Sequence, residues 1–240
     1  MIRPGSSVCN RILVWPITVD ESPAQIQHWW HTLSAEERAR AQRFRRPGDC
    51  DRWVVAHGVL RRILGHLANC EPARITFATE KRGKPRIVEP ISASCWHFNL
   101  SHSHRMALVG VTRVGPLGLD IEYVREFDNM HGVARRVFAG SERSDLMSLH
   151  GRGRASGFYN GWTRKESLIK ATGAGMSQSL KSIEVSLIPG EPAVVRAFEE
   201  DDPAAWQLHS LDVATDYAAA VAIRTDRAID TEVRSHEAID

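Results

Sequence analysis

The chain has 240 residues, with 31 Lys and Arg against 29 Asp and Glu and a formal charge of +2. With 42% hydrophobic residues it has too much apolar side chain and too little net charge for wholesale disorder. No apolar run approaches the ~20 residues that span a bilayer, and at ~150 residues per domain the length fits one to two domains.

Residues 1–10 read as a loose start, and Ile12-Leu13-Val14-Trp15 as a first strand. Ile26, Trp29, Trp30 and Leu33 recur near the helical period. Ser34-Ala35-Glu36-Glu37 fits a capping box, and the helix it opens carries Arg38, Arg40, Arg43, Arg45 and Arg46 before Pro47-Gly48 breaks it. A second helix is expected from about Cys50 to Leu67. Ile75–Phe77 reads as a strand, Lys81–Pro85 as a turn, and His97–Leu100, Met106–Thr112 and Leu117–Glu122 as three further strands.

Helices are predicted around Met130–Phe138 and Ser141–Leu149, followed by a flexible glycine-rich loop over Gly151–Gly157. A strong helix runs from Phe158 to Thr172 and stops at Gly173-Ala174-Gly175. Strands over Ser182–Ile188, Ala205–Leu211 and Tyr217–Ile223 complete the pattern, and residues 226–240 lack an apolar period, which predicts a mobile tail. Strands and helices mix without strict alternation, so the fold class is α+β. Cys9, Cys50, Cys70 and Cys95 lie too far apart for a disulfide scaffold or a paired-ligand zinc site. With no signal-peptide pattern at Met1–Gly5, these features predict a cytoplasmic protein.

Four segments carry candidate chemistry. On a strand over Leu117–Glu122, Leu117, Leu119 and Ile121 share one face while Gly118, Asp120 and Glu122 share the other. Two aligned carboxylates repel unless a cation bridges them, and an oxygen-only donor set suits Mg²⁺. On the helix, Trp162, Glu166 and Lys170 fall at i, i+4 and i+8, presenting an aromatic, an acid and a base along one stripe. Glu166 can then complete a carboxylate cluster with Asp120 and Glu122, while Lys165 and Lys170 face a phosphate. In Phe98-Asn99-Leu100-Ser101-His102-Ser103, hydroxyl, imidazole and backbone donors can meet an anion. The fourth segment is basic: Arg38 to Arg46, Arg52 and the Lys81–Arg86 turn. Taken singly, each is better explained by a solvated edge, a surface Glu–Lys pair or a structural histidine.

Together, and in this order, the segments resemble the Sfp-type 4′-phosphopantetheinyl transferases: Gly83-Lys84-Pro85, then Phe98–Ser103, then Gly118-Leu119-Asp120-Ile121-Glu122, then Trp162–Lys170. The resemblance extends from about Leu33 to Val185. It implies Mg²⁺-dependent transfer of 4′-phosphopantetheine from coenzyme A to a serine of an apo acyl- or peptidyl-carrier protein, releasing adenosine 3′,5′-bisphosphate. It also implies a pseudo-dimeric monomer of two similar α+β halves, residues 1–114 and 115–225, with the active site in the cleft between them and no membrane or nucleic-acid partner. Asp120, Glu122 and Glu166 would hold Mg²⁺, Glu122 directly or through a water, and Glu166 would be the base for the serine hydroxyl. Lys165 and Lys170 would neutralise the transferred phosphate, and Lys170 would help protonate the leaving group. Ser101 and His102 would contact the 3′-phosphate or pyrophosphate, Lys84 and Pro85 would border the adenine, and Arg40 and Arg52 would reach the 3′-phosphate. At Glu37 the better-known relatives often carry a basic phosphate contact, which shifts phosphate binding here onto the neighbouring arginines. Two other functions stand beside this one: a nucleic-acid-binding module built on the Arg38–Arg46 helix, and an Mg²⁺-dependent phosphohydrolase using the same acids.

Overall fold

Strand β1 (Arg11–Thr18) is apolar on both faces, and both faces are covered. In a computed structural model, which describes residues 10–80, 83–173, 175 and 178–238, Leu13, Trp15 and Ile17 enter one core while Ile12 and Val14 enter another. The strand pairs antiparallel with β5 (Met106–Thr112), which pairs with β4 (His97–Ser103). Helices α1 (Pro23–Thr32), α2 (Ala35–Ala41) and α3 (Pro47–Ala68) cover the first face: Trp29, Leu33, Val55, Val59 and Ile63 pack there on Val109 and Val111. The hairpin β2 (Thr76–Thr79) and β3 (Pro85–Glu89) extends this half.

A second antiparallel sheet has the order β6 (Leu117–Tyr123), β10 (Tyr217–Arg224), β9 (Trp206–Ser210). Its outer face carries the long helix α6 (Gly151–Thr172) and the hairpin β7 (Ile183–Val185) and β8 (Val195–Phe198); Ala220 and Ala222 provide a low surface under Leu168, Ile169 and Ala171. Helices α4 (Met130–Val137) and α5 (Gly140–Ser148) pack around Phe138 and Phe158. The two sheets meet through Ile12, Val14 and Leu108 against Leu117, Leu119, Ile121, Val221 and Ile223. The mixed α+β class follows from this arrangement.

Several boundaries differ from the sequence reading. Helix α2 stops at Ala41, so Arg43, Arg45 and Arg46 lie outside it. Pro47 opens α3 rather than ending α2, because proline suits the first helical position and holds the residue before it, Arg46 (φ −109°, ψ 124°), out of the helical region. The expected loop over Gly151–Gly157 is the first third of α6. A Cβ on Gly157 would come 2.5 Å from Leu149 Cδ1, so close packing rather than flexibility accounts for that glycine. The expected tail is also ordered in part. Residues Asp230–Val233 form β11, which pairs parallel with β1 at the sheet edge. The expectations at residues 1–9, Lys81, Arg82 and Ala174 lie outside the described residues.

Candidate active site

Where α6 crosses β6 the backbones nearly touch. A Cβ on Gly118 would sit 1.9 Å from Ser167 O, so only glycine fits there. This contact brings the inner face of the helix onto the strand's polar face, with Leu117, Leu119 and Ile121 fully buried on the other side. Asp120 and Glu122 thus rise beside Lys170 and Glu166, as the alternation predicts.

The first sheet supplies the other wall. Asn99, Ser101 and Ser103 share one face of β4, and each reaches β6. Asn99 Oδ1 accepts from Leu119 N at 2.8 Å, Ser101 Oγ donates to Asp120 Oδ1 at 2.8 Å, and Ser103 Oγ donates to Glu122 Oε2 at 2.7 Å. Side chains therefore lace the two edge strands where no backbone ladder joins them. Lys170 Nζ joins the same network, donating to Asp120 Oδ1 (2.6 Å), Ser101 Oγ (3.0 Å) and Leu119 O (3.1 Å).

Burial raises the pKa of Asp120 against the opposing pull of Lys170 and Ser101. Glu122 is raised by burial and by the charge on Asp120. Glu166 is raised by burial, then by Asp120 and Glu122. The three carboxylates thus feel one another. Among the described residues, no group of three or more His, Cys, Asp or Glu side chains could hold a metal ion by itself. Mg²⁺ commonly takes one or two carboxylates together with substrate phosphates rather than an all-protein cage. Asp120 Oδ2 is buried without a hydrogen-bond partner, an arrangement that is unfavourable unless a cation or donor completes it. The donor set fits such an ion.

A cleft of about 430 Å³ opens beside this cluster, lined by Lys84, Pro85, Asn99, Glu166, Lys170 and Gln178. Asn99 and Gln178 join the site beyond the residues expected from sequence, and the alternation Asn99, Ser101, Ser103 on β4 is the sequence signal for the first. His102 is exposed on β4, and partial burial followed by the charges of Lys170 and Arg52 lowers its pKa. Arg52 pairs with Asp49 (3.1 Å) and Asp20 (3.4 Å), while Arg40 lies 5.7 Å over the Trp53 ring.

One residue, Lys165, takes a different position from the one expected. Lys165 does not reach the cleft. It is fully buried, with its ammonium on Glu142 Oε2 (2.5 Å), Val137 O (3.0 Å) and Leu180 O (2.9 Å). Adjacent helical residues point ~100° apart, so Lys165 cannot share the Glu166 stripe. Lys84 lines the cleft, but its Nζ is bound to three backbone carbonyls, and burial brings it down to about 8. Glu37 caps α2 through Ser34 N and holds the buried Arg61 at 2.5 Å, a structural ion pair.

The chain matches known proteins over most of its length. Residues 116–222 match the model of the 4′-phosphopantetheinyl transferase superfamily, and residues 20–112 match that of the 4′-phosphopantetheinyl transferase N-terminal region. The chain is 36% identical over 214 residues to the 4′-phosphopantetheinyl transferase HetI of Nostoc sp., covering 89% of this chain and 88% of that one. It belongs to the 4′-phosphopantetheinyl transferases. Within this family it is 34% identical to psf-1 of Bacillus pumilus, over 89% of this chain and 88% of the relative. It is 32% identical to Sfp of Bacillus subtilis, over 65% and 66%. As a 4′-phosphopantetheinyl transferase, the chain is an enzyme that transfers a phosphopantetheine group.

Proposed function

We propose that the enzyme moves 4′-phosphopantetheine from coenzyme A to a serine hydroxyl of an apo acyl- or peptidyl-carrier protein, with Mg²⁺ present, and releases adenosine 3′,5′-bisphosphate. The observation that carries this reading is the buried, unpartnered Asp120 Oδ2 in a cluster with Glu122, Glu166 and Lys170. Phosphoryl transfer depends on positioning and charge neutralisation more than on covalent protein chemistry, and this cluster supplies both. Asp120, Glu122 and Glu166 would hold Mg²⁺ together with the phosphates of coenzyme A, and the ion would neutralise the pyrophosphate.

Glu166 accepts the serine proton, directly or through a water. Burial and the charges on Asp120 and Glu122 raise its pKa, which makes it a stronger base than a free glutamate. Lys170 neutralises charge at the transferred phosphate and assists the leaving group. Ser101 and His102 meet the 3′-phosphate or pyrophosphate, Arg40 and Arg52 reach the 3′-phosphate, and Pro85 and the aliphatic stem of Lys84 border the adenine. Lys165 is left out of this scheme because its ammonium is enclosed.

The element order supports a pseudo-dimeric monomer. Each half runs strand, helices, a 22-residue helix, a hairpin and two strands, and the sheet orders β1-β5-β4 and β6-β10-β9 correspond. The boundary falls near Val114–Pro116, between residues 1–114 and 115–225, with coenzyme A in the cleft between the halves. No helix among the described residues is long and apolar enough to cross a membrane.

The test is incubation with coenzyme A and an apo carrier domain, with and without Mg²⁺. The expected result is one phosphopantetheine added to the carrier serine, read by intact mass, only when Mg²⁺ is present. A serine-to-alanine carrier should remain unmodified. Phosphate release without any carrier would instead favour a phosphohydrolase.

A further inference from the structure

The close approach of α6 to β6 sets the spacing between the strand acids and the helical Glu166 and Lys170. Part of what holds it comes from the other half of the molecule. Lys84, just before β3, extends its ammonium into the crossing and donates to Leu117 O (2.9 Å), Lys170 O (2.8 Å) and Ala171 O (3.3 Å). Two of these acceptors belong to the last turn of α6, where carbonyls lack helical partners and the helix dipole favours a cation. The third precedes Gly118, the residue against which Ser167 packs. An ammonium has three donors, and all three are engaged.

We propose that Lys84 is a positioning residue: its ammonium clamps the end of α6 to the start of β6, and so holds Lys170 against Asp120. The assignment rests on the transferase reading for what the site does, but the clamp itself is defined by backbone contacts. It also separates two parts of one side chain. The methylene stem borders the cleft, while the ammonium is occupied with protein carbonyls and has no donor left for a phosphate.

Lys84→Met keeps most of the stem and removes the donors. Displacements of about 1 Å at a reacting centre can cost on the order of a hundredfold in rate. Lys84→Met should therefore lower kcat for carrier modification by about tenfold to a hundredfold, with KM for coenzyme A changing less than about threefold. Lys84→Arg should recover part of kcat. In a Lys170→Met background the Lys84→Met change should have little further effect on kcat, because the residue it positions is gone. A raised KM at unchanged kcat, or full additivity with Lys170→Met, would overturn the proposal and make Lys84 a direct substrate contact. Should Lys84→Met fail to fold, Lys84→Gln, which keeps two donors on a shorter stem, should lose a smaller part of kcat, again with KM for coenzyme A nearly unchanged. Amide exchange over residues 171–173, expected to quicken in the variant, tests the clamp even if wild-type protein shows no transfer, an outcome that would count against the transferase reading alone.

Discussion

Ser101 and Asp120 face each other across the seam between the two sheets, hydroxyl to carboxylate at 2.8 Å, and the Lys170 ammonium holds both. One oxygen of Asp120 is thus fully engaged while the other, buried, has no partner. Asp120→Ala should lower transfer by two to three orders of magnitude, comparable to removing a main electrostatic stabiliser. Its urea midpoint should fall, since Lys170 and Ser101 both lose the buried carboxylate they are bonded to. Ser101→Ala removes two hydrogen bonds, one given to Asp120 and one accepted from Lys170, each worth about 1 kcal/mol, and should slow transfer by less than about thirtyfold. Single-turnover rates and urea denaturation of the two variants check both statements.

Glu166 should govern the acid limb of the rate profile. Burial and the charges on Asp120 and Glu122 raise its pKa, so the carboxylate needed as a base is lost at a higher pH than for a free glutamate. The rate should fall as pH drops through that raised value, and increasing Mg²⁺ should move the limb to lower pH, since a cation favours the ionised form. Glu166→Gln should lose orders of magnitude in rate along with this limb. A variant that retains the wild-type acid limb would exclude Glu166 as its source.

Lys165 and Glu142 should behave as a structural pair. Removing one partner of a buried ion pair typically costs about 3–5 kcal/mol, so Lys165→Met should show a large drop in urea midpoint. The double variant Lys165→Met/Glu142→Gln should recover part of it. Folded protein from either variant should keep KM for coenzyme A near the wild-type value, the reverse of what a phosphate ligand would show.

His57 stacks on Trp53 with ring centroids 3.8 Å apart, and burial, reinforced by Arg40, His102 and Arg61, lowers its pKa from 6.5 to about 3. The unfolded chain binds a proton there that the folded chain refuses, so the contribution of His57 to stability falls as pH drops from 6.5 toward about 3. The slope from one proton is at most about 1.4 kcal/mol per pH unit. His57→Gln should show a shallower loss of stability on acidification, measured by urea denaturation between pH 7 and 4. Equal slopes for the two proteins would show that His57 does not titrate differently on folding.

The strand alternation at Leu117–Glu122 and the capping box at Ser34–Glu37 were legible because each depends on short-range geometry alone. The start of α6 was not, because Gly151, Gly153 and Gly157 lower local helix propensity, and the reason for Gly157 is tertiary: Leu149 occupies the space its side chain would fill. Lys165 was placed with its neighbour by motif, although the helical period alone turns it away. The partnership with Glu142, 23 residues earlier, leaves no local signal. Lys84 is similar: its acceptors are backbone carbonyls on distant elements, and any sequence provides those.

The parallel pairing of β11 with β1 ties residues 230–233 to residues 11–14. On a ribosome, a nascent chain that has emerged through Arg224 already contains both long helices and β1 through β10, yet the outer edge of β1 is still unpaired. Vectorial synthesis therefore cannot finish the amino-terminal sheet first and the carboxyl-terminal one second. The first sheet to begin is the last to close.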